Sequence, residues 1–172
     1  MRKVLYIFGQ LTDTDVSWLA SEGRRRRLPA RTELIREGVS VDTLYIVLEG
    51  ELSVLSSAKQ REVARLGAGE IVGEMSFIDA RPPSATVITA SDVVLFAISK
   101  RRLQAALDSN SGFAARFYRA VAMFLSHRVR LATAGERGLA QEDADELDEF
   151  VLDNVDRAGA RFDDLSRQLL DG

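Results

Sequence analysis

The stretch 44-LYIVLEGELSV-54 decides the fold. Leu44, Ile46 and Leu48 alternate with Tyr45 and Val47, so a strand here is apolar on both faces. Glu49 and Gly50 then turn the chain into a second alternating run, which predicts a hairpin between the two. Working outward, the runs TELIREG, REVARLGAGE, ATVITA and DVVLFAIS repeat the pattern, punctuated by Gly38, Gly50, Gly67 and Gly69. Short β-branched and aromatic runs with recurring turn residues leave no room for crossover helices. They predict an antiparallel sandwich or barrel.

Ahead of the strands, LTDTDVSWLASEG offers Thr12 as an N-cap with Asp15 three positions on, approximating a capping box. Leu11, Val16, Trp18 and Leu19 supply the contacts of a short helix ending near Gly23. Arg24 to Arg27 follow in a row. They fit either a contact with phosphates or acidic lipid, or a solvated edge strand whose charges discourage aggregation.

Helical periodicity returns after Ile98. SKRRLQAALDS predicts a short helix capped by Ser99, with Leu103, Ala106 and Leu107 inward. A long helix carries one stripe of Phe113, Phe117, Val121, Phe124 and Leu131, and a second of Ala114, Tyr118, Leu125, Val129 and Ala132. Two apolar stripes need two covering surfaces. The β-domain covers one; the other requires a second copy of the helix across a two-fold axis, or the chain's own tail. Arg116, Arg119, Arg128 and Arg130 are expected to flank that seam, and His127 to be an ordinary helix or interface histidine. In the tail, residues 142–156 hold eight acidic side chains and no base. Leu147, Val151, Val155, Ala158, Phe162, Leu165 and Leu169 recur at three- and four-residue spacing, an amphipathic helix seeking a partner, with Gly159 in its middle a weak point for a kink or a break. The preceding TAGERGLAQ has the composition of a hinge. The chain therefore divides into an N-terminal helical segment (1–30), a β-domain with a short helix (31–110), a long helix (111–134) and an acidic helical tail (135–172).

Composition narrows the function. The 172 residues contain no cysteine and one histidine, which excludes disulfides, a thiolate nucleophile and a Cys/His metal cluster. A net charge of −3 argues against a dominant nucleic-acid surface. No apolar run approaches the ~18–20 residues that span a bilayer, and the N-terminus lacks a leader's apolar core, so a cytoplasmic location is expected. No catalytic constellation appears, and the protein is expected not to be an enzyme.

Read together, LIREG with Gly38, LYIVLEGELSV with Gly50, and LGAGEIVGEMSFI with Gly67, Gly69, Gly73 and Glu74 resemble a cyclic nucleotide-binding domain in order and spacing. This is the β-roll of the catabolite activator protein and of the protein kinase A regulatory subunit. The resemblance implies a mainly β fold with flanking helices: an antiparallel, jelly-roll-type β-roll, a long dimerisation-type helix and a C-terminal helical tail. It also implies a phosphate-binding cassette at Gly73, Glu74, Met75 and Ser76, with Glu74 accepting a hydrogen bond from a ribose hydroxyl. Ser84, Ala85 and Thr86 would line the far side, and the ligand would be cAMP or cGMP. An arginine is implied just before the Ser84–Thr86 run, paired with the phosphate, and this sequence has Pro83 there. Arg81 is the candidate replacement: Pro82 and Pro83 hold the chain extended at about 3.1 Å per residue, which starts Arg81 about 6 Å away. Otherwise Ser84, Thr86 and the cassette amides bind alone, or the pocket is empty and the roll is a dimeric scaffold.

The expectation is a small stand-alone sensor, dimeric through Phe113–Leu131, that passes ligand occupancy to its C-terminal helices and through them to a protein partner. Only 40 residues follow Ala132, and they are acidic, which argues against a helix-turn-helix module and against major-groove reading of DNA.

Overall fold

The computed structural model describes residues 7–137 and 155–170. Helix α1 (Asp13–Glu22) opens with the expected capping box: Thr12 Oγ1 accepts from the Asp15 N–H at 3.3 Å, and Asp15 Oδ2 accepts from the Thr12 N–H at 2.8 Å. At its end Gly23 passes so close to the Phe96 ring that an added Cβ would lie 1.9 Å from it.

Eight strands follow among the described residues: β1 (Arg24–Leu28), β2 (Glu33–Ile35), β3 (Thr43–Glu49), β4 (Leu52–Ser56), β5 (Arg61–Leu66), β6 (Ile71–Val72), β7 (Thr86–Thr89) and β8 (Val93–Ser99). They form two four-stranded antiparallel sheets, ordered β1-β8-β3-β6 and β2-β7-β4-β5, the β-roll expected from the sequence. The two faces of β3 enter different cores. Tyr45 and Val47 pack between the sheets with Leu52, Val54, Leu66 and Leu95, while Leu44, Ile46 and Leu48 meet the helices.

The predicted β3–β4 hairpin does not form. Gly50 turns the chain with φ +82°, but β3 is already paired by β6 and β8 on its two edges, and β4 crosses into the other sheet to pair with β5 and β7. The arginine run is the edge strand β1, registered on β8 from Arg24↔Ala97 to Leu28↔Val93. The roll thus takes in Arg24–Leu28, which a boundary at residue 31 leaves outside it. Arg26 rests on Tyr45, with its guanidinium 5.9 Å from the ring centroid and 3.2 Å from the phenolic oxygen.

Three helices close the other side of the β3 sheet. One-turn α2 (Met75–Ile78) lies between β6 and β7, and α3 (Lys100–Ser109) and α4 (Ser111–Arg137) follow β8. Ser99 occupies the N-cap position of α3, but its side chain makes no capping hydrogen bond. Phe113, Phe117, Val121 and Phe124 of α4 are buried against the sheet, each contributing about 1.5–3 kcal/mol of apolar burial. The second stripe is covered only in part: Ala114 and Leu125 pack on the edge of the core, while Tyr118 is 39% and Val129 66% exposed. Helix α4 also holds α1, because Arg116 makes a bidentate pair with buried Asp15 at 2.7 and 2.8 Å.

The tail helix α5 (Val155–Leu170) packs on α1 and reaches β1. Ala158 and Leu165 are buried, and the Phe162 ring meets Phe8 edge-on at 5.5 Å. Arg161 donates to Asp13 Oδ1 at 2.7 Å and to the Phe8 carbonyl at 3.1 Å. The stripe predicted to seek a partner is therefore covered, in this part, by the N-terminal helix of the same chain. The helix runs unbroken through Gly159, so the chain does not break there. Thr133–Arg137, predicted as the start of a hinge, continue α4; residues 138–141 of that stretch, Leu147 and Val151 lie outside the described residues.

Candidate functional site

The chain between β6 and β7 folds over a cleft floored by Ile35, Val54, Leu66, Val72 and Val87. Its cavity is about 90 Å³, and about 10–15 Å³ of such space holds one water-sized group. Gly73 makes the entry turn with φ +88°, and an added Cβ would lie 2.9 Å from the Thr43 carbonyl. Both the backbone conformation and the space require glycine. After it, Glu74 begins the turn that becomes α2: the N–H groups of Phe77 and Ile78 both donate to the Glu74 carbonyl, at 3.1 and 3.0 Å.

Glu74 is 3% exposed. Its Oε1 accepts from Arg128 Nη1 of α4 at 2.9 Å. The guanidinium is steadied from one turn below, lying 5.6 Å from the Phe124 ring centroid. Burial pushes the Glu74 carboxyl above its ordinary range; Arg128, the backbone N–H groups of Glu74 and Met75, and Lys100 pull against it without cancelling it. On the other side of the turn, Lys100 Nζ donates to Ser76 Oγ at 2.6 Å, and Ser76 Oγ donates to the Gly73 carbonyl at 3.3 Å. Burial pushes the Lys100 ammonium down, against the attraction of Glu74 and Asp42. Phe77 joins the cassette to α4, edge-on to Phe117 at 5.9 Å and stacked on Tyr118 at 6.5 Å.

Gly73, Glu74, Met75, Ser76, Ser84 and Ala85 all line the cleft. Two other candidates point elsewhere. Thr86 Oγ1 accepts from the Glu37 N–H at 3.1 Å, tying β7 to the turn after β2. Arg81 is 84% exposed and lies 4.0 Å from Asp79, away from the cleft wall, where Pro83 stands instead. The cation that does enter is Arg128, expected from the sequence to flank a helix seam. Its position on α4, one turn after Phe124, is legible in the sequence; its meeting with a residue 54 positions earlier is not.

A buried carboxylate paired with a guanidinium over an apolar floor offers polar atoms at one end of the cleft and apolar surface at the other. Among the described residues no group of three or more His, Cys, Asp or Glu side chains could hold a metal. Nor is any helix there long and apolar enough to cross a membrane.

A β-roll with a Gly-Glu cassette and a long helix closing on it defines a ligand-binding module. Residues 25–110 match the model of the cyclic nucleotide-binding domain, and the chain belongs to that family. The family comprises regulatory binding modules, not enzymes. Over 153 residues the chain is 31% identical to the CRP-like protein Clp of Xanthomonas campestris pv. campestris, covering 86% of this chain and 62% of Clp. The chain thus spans somewhat less than two thirds of the length of this relative. Among solved structures, a cyclic nucleotide-binding domain from Methylobacillus flagellatus KT superposes with a TM-score of 0.69 at 25% identity, over 76% of this chain and 78% of its own. The structure of Clp from Xanthomonas campestris, described as a c-di-GMP responsive global regulator, gives 0.63 at 31% identity, over 74% of this chain and 63% of its own.

Proposed function

We propose that the chain is a cytoplasmic sensor whose cleft binds a cyclic nucleotide, cAMP or cGMP, and reports occupancy through α4. The observation that carries this reading is the Glu74–Arg128 pair, which joins the cassette to the long helix at 2.9 Å. A ribose hydroxyl donating to Glu74 competes for the carboxylate that Arg128 now holds, so ligand binding and the seating of α4 share one group. The ligand then favours whichever helix arrangement suits it better. The exposed Tyr118 and Val129 of α4 suit a second copy of the helix, making the working form a homodimer. Signal output through α5 would require that helix to change its contact with α1.

Calorimetric titration with cAMP, cGMP and c-di-GMP tests the reading, with Glu74→Gln alongside. Saturable heat from the wild type that weakens by about 10- to 150-fold in the variant supports it, the range expected for loss of one charge-assisted hydrogen bond of ~1.5–3 kcal/mol. Equal binding by both proteins refutes the assigned role of Glu74. A second reading, a dimeric scaffold without ligand, draws on Pro83 in the cleft wall and on Arg81 facing solvent. Silence with all three nucleotides up to millimolar concentration would favour it.

A further inference from the structure

The cleft wall has no arginine at position 83, yet two cations stand at the cassette, Arg128 lining the cleft and Lys100 behind the turn. Arg128 and Lys100 approach the Gly73–Ser76 turn from its two sides, one held by Glu74 and the other by Ser76. Lys100 begins α3, and its backbone N–H donates to the Asp42 carbonyl at 2.8 Å, so its stem is anchored to the start of β3. Its Cε lies 3.8 Å from the point where a Cβ on Gly73 would stand, directly behind the turn. The facing charges are two cations, Arg128 and Lys100, the buried Glu74, and Asp42, which is exposed and screened by water. Within the buried part, two positive charges against one negative leave a single positive charge for an anion to meet. A cyclic phosphodiester carries one negative charge.

We propose that Lys100 is the positioning cation of this cassette. Through Ser76 Oγ it fixes the Gly73–Ser76 turn in the form that receives an anionic ligand, and it supplies from behind the turn the positive charge that position 83 does not supply from the front. The claim about the ligand rests on the cyclic-nucleotide reading above; the claim about the turn does not.

The test uses the full chain with Lys100→Met, which keeps the length and packing of the stem, and Lys100→Arg, which keeps the charge. Ser76→Ala and the Lys100→Met/Ser76→Ala double variant complete a cycle. Hydrogen exchange of the amides of residues 74–78, without nucleotide, is expected to quicken about tenfold in Lys100→Met and in Ser76→Ala. It should be no faster in the double variant than in either single one, and close to wild type in Lys100→Arg. Wild-type exchange in Lys100→Met would overturn the positioning role, as would failure of Lys100→Arg to restore protection. With cAMP or cGMP, Lys100→Met should bind about tenfold or more weakly and Lys100→Arg near normally; equal affinity in Lys100→Met overturns the charge role. If the wild type binds neither nucleotide, the cyclic-nucleotide reading and the charge role fall together, and the exchange data still decide the positioning of the turn.

Discussion

Replacing Pro83 by arginine asks directly what the cleft lacks. Pro83 is half-buried in the cleft wall, and its backbone carbonyl accepts from the Gly38 N–H at 2.9 Å. An arginine retains that carbonyl, so no backbone hydrogen bond is lost. Release of the proline ring lowers stability by about 0.4–1 kcal/mol through the unfolded chain. In return a guanidinium gains one charge-assisted hydrogen bond to an anionic ligand, about 1.5–3 kcal/mol. Affinity for the bound cyclic nucleotide should therefore rise about 10- to 150-fold. Pro83→Ala is the control, since it makes the same backbone change without the charge and should leave affinity within a factor of a few. Calorimetric titration of the three proteins, with a thermal melt to confirm folding, reads the outcome. A folded Pro83→Arg protein whose affinity equals that of Pro83→Ala would refute the assignment of this wall to the ligand's phosphate.

Three further outcomes follow from the packing. At Asp15, burial acts to raise the carboxyl pKa, and hydrogen bonds from Arg116 and Thr12 outweigh it, leaving it below the ordinary value of 3.8. A lowered carboxylate pKa stabilises the fold above the ordinary value and loses that contribution as pH falls through the folded one. Asp15→Asn should thus cost about 1–3 kcal/mol near neutrality, discounted from a fully buried pair because Arg116 is 35% exposed. The deficit should shrink in urea melts taken below pH 3.8, and a pH-independent deficit would contradict the assignment. Gly159→Ala should stabilise the protein by about 0.5–1 kcal/mol, because α5 is helical there and nothing lies within 4 Å of the added methyl; a lower melting temperature would show that α5 is not helical at this point. Val129→Glu, on the exposed stripe of α4, should convert a dimer to a monomer in sedimentation with the fold unchanged; an unaltered mass would place any dimer contact elsewhere.

Local signals in this chain were readable and long-range ones were not. The alternation in 44–48 correctly separates the two faces of β3, because a strand's period of two is fixed by its own backbone. The capping box at Thr12 and Asp15 is equally local. Gly73 and Glu74 announce the turn that makes the cassette. Sheet membership is different: β3 and β4 adjoin in sequence, but their partners β8 and β7 lie 45 to 56 and 31 to 37 residues on and draw them into separate sheets. Two-residue β6 is too short to show a period. Likewise nothing in the spacing of arginines on α4 says that Arg116 meets Asp15 and Arg128 meets Glu74. Those pairings depend on how the helix lies across the roll. Arg81 is the nearer cation along the chain, yet its side chain faces solvent 4.0 Å from Asp79.

On the proposed reading a cyclic nucleotide occupies the cleft between the cassette and α4. Amide chemical shifts of the ¹⁵N-labelled protein, titrated with cAMP and cGMP, test it most directly because they report both binding and place. Saturable shifts at Gly73, Glu74, Ser76, Ser84 and Ala85, with further shifts along α4 around Arg128, are the predicted result. Saturable shifts confined to residues outside the cleft, or none at millimolar nucleotide, would contradict it.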